Sequence, residues 1–183
     1  MKRPAGSYAK FLFYIIPLAL IALAAGLGTG ALRNSPPEAA EPATASLWKL
    51  GFPDSNGQQQ RLSQWHGQVV VLNFWASWCA PCREEMPDFV ALRTEYHTKG
   101  VEFIGIAMDN PANVTRFLQQ FPVNYPILVG EDGAYSLIRQ LGNQNGGLPY
   151  TIVIDRRGNI VRNHLGRLTR NMLESDLRRL VNK

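Results

Sequence analysis

The sequence predicts an α/β domain over residues 47–183. Two observations carry that expectation. Short β-branched runs alternate there with stretches whose apolar residues recur at helical spacing. The most apolar run, Val69-Val70-Val71-Leu72-Asn73-Phe74-Trp75, stops at Ala76-Ser77-Trp78-Cys79-Ala80-Pro81-Cys82, where the chain breaks and a helix can begin. The 137 residues from Leu47 to Lys183 are enough for one hydrophobic core.

Leu47 to Gly67 is weakly periodic, and Leu47 to Leu62 is expected to form short strands around a turn at Asp54-Ser55-Asn56-Gly57. His66, beside Gly67, reads as a surface turn residue. The Val69–Trp75 run is a buried strand. Arg83 to Lys99 reads as a helix on the stripe Phe89, Leu92 and Tyr96, bent by Pro87 and ended by Gly100. Val101 to Met108 is the next strand, in which Glu102 is conspicuous. A short helix follows from Asn113 to Gln120, then a strand or edge segment from Tyr125 to Val129 and a further helix from Tyr135 to Leu141. Asn143-Gln144-Asn145-Gly146-Gly147 is a loop leading through Leu148-Pro149-Tyr150 into a strand over Thr151–Ile154. Asp155 to Asn159 turns the chain into Ile160–Arg162, and a helix from Arg170 faces inward with Leu173, Leu177, Leu180 and Val181.

Cys79 and Cys82 are the two cysteines of the chain. Pro81 fits the first turn of a helix, where its missing N–H costs nothing. Cysteines three apart at such a start share one face and lie close enough for a disulfide. Free N–H groups and the helix dipole favour a thiolate there, so Cys79 should be more acidic than a free thiol. This is the pattern of a thiol–disulfide exchange site. A purely structural disulfide would close too short a loop to restrain the unfolded chain much. Two cysteines are half of a tetrahedral zinc set, and His66, His97 and His164 lack ligand spacing, so no metal is expected.

Asn73–Pro87 and Leu148–Asp155 resemble the thioredoxin superfamily, and more closely its TlpA-like (ResA/CcmG-type) group. The resemblance covers residues 47–183. It implies a thioredoxin-like fold, a central mixed β-sheet flanked by helices. It also implies that Cys79 attacks and Cys82 resolves, with Trp78, Ala80 and Pro81 shaping the site. Pro149 is then a cis-proline beside the site, and Leu148 and Tyr150 line a substrate groove in which the backbone before Pro149 can pair with an extended segment. Thioredoxins carry a buried aspartate where this chain has Asn73, and an amide cannot take the proton lost by Cys82. Glu102, in Gly100-Val101-Glu102, matches the glutamate found near the site in the TlpA-like group. The loop before Pro149 is longer than the group's usual pattern, which leaves substrate choice open. The implied function is disulfide exchange with protein partners, as a reductant in cytochrome c maturation or a related assembly. The redox-active disulfide is expected to serve in place of a cofactor. A thiol peroxidase of the peroxiredoxin kind is the rival enzyme, but it would place threonine where Ala76 stands. A non-redox binding protein is a second rival, and the intact CxxC argues against it.

The first 46 residues differ in kind. Phe11 to Leu32 is 22 residues without a charge, preceded by Lys2, Arg3 and Lys10. That length crosses a bilayer, and the basic flank keeps the N-terminus in the cytoplasm. A cleaved signal peptide is the rival, since Ala22-Leu23-Ala24 fits a cleavage site; the uncharged stretch running on past Ala24 favours the anchor. The absence of cysteine there excludes lipoprotein attachment. Residues 1–33 are therefore read as a cytoplasmic tip and anchor, 34–46 as a Pro/Ala-rich linker, and 47–183 as a domain on the periplasmic face of the inner membrane. Of the net charge of +5, Lys2, Arg3, Lys10 and Arg33 against Glu38 and Glu41 leave +2 before residue 47. The domain's arginines are scattered, which argues against nucleic acid. The expected partners are protein disulfides and a membrane electron donor, met by a monomer.

Overall fold

The run Val69–Trp75 is apolar at every position but Asn73 because both of its faces are covered, and all seven residues are buried. Val69, Val71 and Trp75 pack on one side with Met86, Phe89 and Leu92. Val70, Leu72 and Phe74 pack on the other with Leu137 and Ile138. The computed structural model describes residues 44–182. The anchor and cleavage-site expectations fall on residues outside that range, as does nearly all of the linker. No helix among the described residues is long and apolar enough to cross a membrane.

A five-stranded sheet forms the centre. β3 (Val69–Trp75) lies between β4 (Val101–Ala107), parallel to it, and β6 (Tyr150–Ile154), antiparallel to it. β5 (Ile127–Val129) and β7 (Ile160–Leu165) are the edges, giving the order β5-β4-β3-β6-β7. The helices are α1 (Ala80–Tyr96), α2 (Pro111–Gln120), α3 (Glu131–Gln140) and α4 (Arg170–Val181). α1 and α4 pack on the face that carries Val71 and Trp75, and α3 packs on the opposite face. This is the thioredoxin-like α/β fold with a mixed sheet that the resemblance implies.

Local chemistry sets the boundaries. α1 runs through Pro87, whose missing N–H leaves the Arg83 carbonyl without its helical partner. A 3-10 turn, His97–Lys99, follows, and Gly100 at φ 80° ends it. Asn110 caps α2 by accepting the Asn113 N–H at 2.9 Å. Each fully buried Phe or Leu of the core contributes about 1.5–3 kcal/mol. Before the sheet, Leu47–Lys49 is a 3-10 turn rather than a strand: the Leu50 N–H donates back to the Leu47 carbonyl at 3.1 Å, with Leu47 buried and Trp48 half-buried against the same cluster. β1 (Gly51–Pro53) and β2 (Gln59–Arg61) form the expected hairpin around Asp54, which accepts the N–H groups of Asn56 and Gln58.

Candidate active site

Cys79 is the N-cap of α1, with Ala80 and Pro81 beginning the first turn. Its N–H donates to the Ala76 carbonyl at 3.1 Å, and its own carbonyl accepts the first helical bond, from Arg83 at 3.2 Å. Cys79 and Cys82 are joined by a disulfide with an S–S distance of 2.00 Å and a Cα–Cα distance of 5.3 Å. Cys82 is 0% exposed and Cys79 lies just below the surface. Trp78 beside it is 64% exposed, a large ring turned to solvent rather than to the core.

The loop before Cys79 is held by Asp109, which follows β4. Its carboxylate accepts the Ser77 N–H at 3.1 Å and the Ser77 hydroxyl, the Asn110 N–H at 2.8 Å, and the Asn113 amide at 2.9 Å. Burial pushes the Asp109 carboxyl up, but the hydrogen bonds from Ser77, Asn113 and Asn110 outweigh it and leave it below its ordinary value. Met108 N–H donates to the Trp75 carbonyl at 2.8 Å, so the ends of β3 and β4 carry the loop together.

On the other flank the Leu148–Pro149 peptide bond is cis. Phe74 pairs with Tyr150, so Pro149 stands level with the end of β3, where the chain leaves for Cys79. Pro149 is buried and Leu148 half-buried against the core cluster that contains both cysteines. Tyr150 turns its ring away, packing on Phe74 and donating its hydroxyl to the Leu141 carbonyl at 2.6 Å. Tyr150 therefore packs on the Phe74 side of the sheet, whereas the resemblance placed it in the lining of a substrate groove.

The carboxylate near Cys82 is Glu85, not Glu102. Glu102 pairs in register with Val70, at the opposite end of β3 from the cysteines. Five residues of strand put it about 16 Å below the level of Trp75. There it accepts from Arg93 at 2.9 Å and lies 3.3 Å from His97 Nδ1. The expectation that Glu102 serves the cysteines fails on register. Glu85 follows Cys82 by one helical turn on the same face of α1, and it is 0% exposed. It accepts the Asn73 side-chain amide at 2.7 Å and the Leu168 N–H at 2.9 Å. Asn73 also donates to Thr151 Oγ1 at 3.0 Å. Burial pushes Glu85 up to about 7, against the pull of the Leu168 N–H, the Asn73 amide and the Arg167 guanidinium. Asn73 thus orients a buried carboxyl that titrates near neutrality. The sequence carried a signal for it: the stripe Phe89, Leu92 and Tyr96, extended backward by four and seven residues, meets Glu85 and Cys82.

A thioredoxin-like fold with a CxxC disulfide at a helix start, a cis-proline across from it and a buried carboxyl behind it defines a dithiol–disulfide exchange protein. The redoxin family profile matches residues 37–181. The thiol-disulfide oxidoreductase ResA of Halalkalibacterium halodurans is 36% identical over 122 residues, covering 66% of this chain and 67% of that protein. ResA of Bacillus cereus is 33% identical over 133 residues, 70% of this chain and 72% of that one. A crystal structure of a putative thiol:disulfide interchange protein DsbE from Chlorobium tepidum superposes with a TM-score of 0.64 at 27% identity, over 72% of this chain and 92% of that one. A secreted thiol-disulfide isomerase from Corynebacterium glutamicum does so with a TM-score of 0.67 at 26% identity, over 74% and 84%. The chain belongs to the redoxin family.

Proposed function

We propose that this chain is a thiol-disulfide oxidoreductase that reduces disulfides of protein partners outside the cytoplasm, held at the membrane by residues 1–33 and resupplied with electrons by a membrane donor. The observation that carries the reading is the Cys79–Cys82 pair at the start of α1, with buried Glu85 one turn behind it. The relatives named ResA support it. The uncharged segment Phe11–Leu32 behind Lys2, Arg3 and Lys10 supports the location. Assembly of c-type cytochromes, or a related extracytoplasmic process, is the setting that fits a reductant placed there.

In the reduced enzyme the Cys79 thiolate sits at the N-terminus of α1, where free N–H groups and the helix dipole stabilise it. It attacks one sulfur of the partner disulfide. A bond forms between Cys79 and that sulfur, and the partner's other sulfur leaves as a thiolate that takes a proton from solvent. Cys82 then gives its proton to the Glu85 carboxylate and attacks the Cys79 sulfur. The second partner sulfur leaves, is protonated, and the Cys79–Cys82 disulfide is restored. Two electrons pass from the dithiol to the partner, so the scheme calls for no bound cofactor.

The test is reduction of a disulfide-bonded protein such as insulin by reduced enzyme. The wild type is expected to reduce it stoichiometrically, and Cys79→Ser to lose the reaction altogether. Wild-type rates in Cys79→Ser would refute the reading.

A further inference from the structure

Asn143 takes no part in the sulfur chemistry, yet it is a polar side chain only 6% exposed beside the segment that faces the disulfide. α3 ends there in a Schellman turn. Gly142, at φ 103°, donates to Arg139 at 3.1 Å, and Asn143 N–H donates to Ile138 at 3.0 Å. The turn aims the Asn143 carboxamide inward. Its Nδ2 donates to the Gly147 carbonyl at 2.7 Å, and its Oδ1 accepts the Gly147 N–H at 3.3 Å. The Asn143 carbonyl accepts the Gly146 N–H at 3.2 Å. One residue thus closes the whole loop and satisfies both backbone groups of Gly147. The next residue is different. Leu148 N–H and C=O have no hydrogen-bond partner among the described residues, while the Pro149 carbonyl is already taken by Gly166 N–H at 2.8 Å. A backbone left free beside the cysteines, just before the strand that starts at Tyr150, is where an extended chain can pair by strand addition.

We propose that Asn143 is a positioning residue for partner docking: by clamping Gly147 it holds the Leu148 backbone ready to pair with an extended polypeptide segment that carries the target cysteine. The inference rests on the reading of the chain as an exchange enzyme for protein disulfides. Without the clamp, the glycine pair at 146–147 leaves Leu148 to sample many directions, and docking must order them again. The cost falls on partners that use the backbone and spares small disulfides that need only Cys79.

The experiment compares reduced wild type, Asn143→Ala, Asn143→Asp and Asn145→Ala on insulin and on 2,2′-dithiodipyridine. Asn143→Asp keeps the size and the Oδ acceptor but sets a carboxylate oxygen against the Gly147 carbonyl. Asn145 is in the same loop, and its side chain makes no such bond. The expected result is a KM for insulin raised roughly fivefold or more in both Asn143 variants, as loss of a net hydrogen bond implies. Their rate with dithiodipyridine, their kcat and the alkylation midpoint of Cys79 should stay at wild-type values, as should every parameter of Asn145→Ala. An unchanged insulin KM would overturn the inference, and so would a parallel loss on both substrates, which would place Asn143 in the fold or the thiol site. A wild type inactive toward insulin but reactive with dithiodipyridine would strike the parent reading and the inference with it.

Discussion

Glu85 joins stability to chemistry at a single carboxyl. In the unfolded chain it titrates at its ordinary 4.5, and in the folded protein burial lifts it to about 7. A raised carboxyl favours the fold while it is protonated, so its contribution is complete below about 4.5 and is lost as the pH rises through about 7. The full loss is on the order of 3 kcal/mol. Urea unfolding of the disulfide form should therefore give a wild-type stability that falls from pH 4.5 to 8 relative to Glu85→Gln, which has no charge to bury. Equal slopes in the two forms would mean that the carboxyl titrates at its ordinary value. The same substitution removes the proton acceptor of Cys82. Release of the reduced partner should slow in Glu85→Gln, and the limb of its pH profile near 7 should vanish.

At the scale of elements, strand register decides which acidic residue meets the sulfurs. Glu102 and Arg93 tie the start of β4 to the last turns of α1, far from Cys79. Glu102→Gln should lower stability by about 1–3 kcal/mol, because Arg93 is left partly buried without its charge partner. The pH profile of exchange should match that of wild type; a displaced profile would return Glu102 to the mechanism. β3 was legible in the sequence because a strand covered on both faces is apolar at every position but one, Asn73. α1 was legible from its stripe and from Pro81, and the cis bond at Pro149 from the family resemblance. Register between β3 and β4 was not legible, since an apolar run fits several offsets equally well. Glu85 was only half legible: its place on the stripe argued for burial, while the rule that assigns charged positions to the surface argued against it. Its stability depends on Asn73 and the Leu168 N–H, 12 and 83 residues away in sequence, and only the folded chain brings them together. Leu47–Lys49 was misread as strand because three residues are too few to establish a period.

For the whole molecule, location governs which partners Cys79 can meet. The uncharged segment predicts that full-length protein sediments with membranes, and that added protease reaches the domain from the outer side. Recovery of a soluble form beginning near Ala25 would assign the segment to a cleaved signal instead. The chemistry itself turns on one covalent intermediate, in which the partner is bonded to Cys79 while Cys82 waits behind it, fully buried. Cys82→Ala leaves attack intact and removes resolution, so the intermediate should accumulate. The decisive measurement is mass spectrometry of Cys82→Ala after reaction with a disulfide-bonded protein, under nonreducing conditions. A stable adduct on Cys79, dissolved by dithiothreitol and absent from Cys79→Ser/Cys82→Ala, is the expected result; free enzyme with an untouched Cys79 thiol would contradict it.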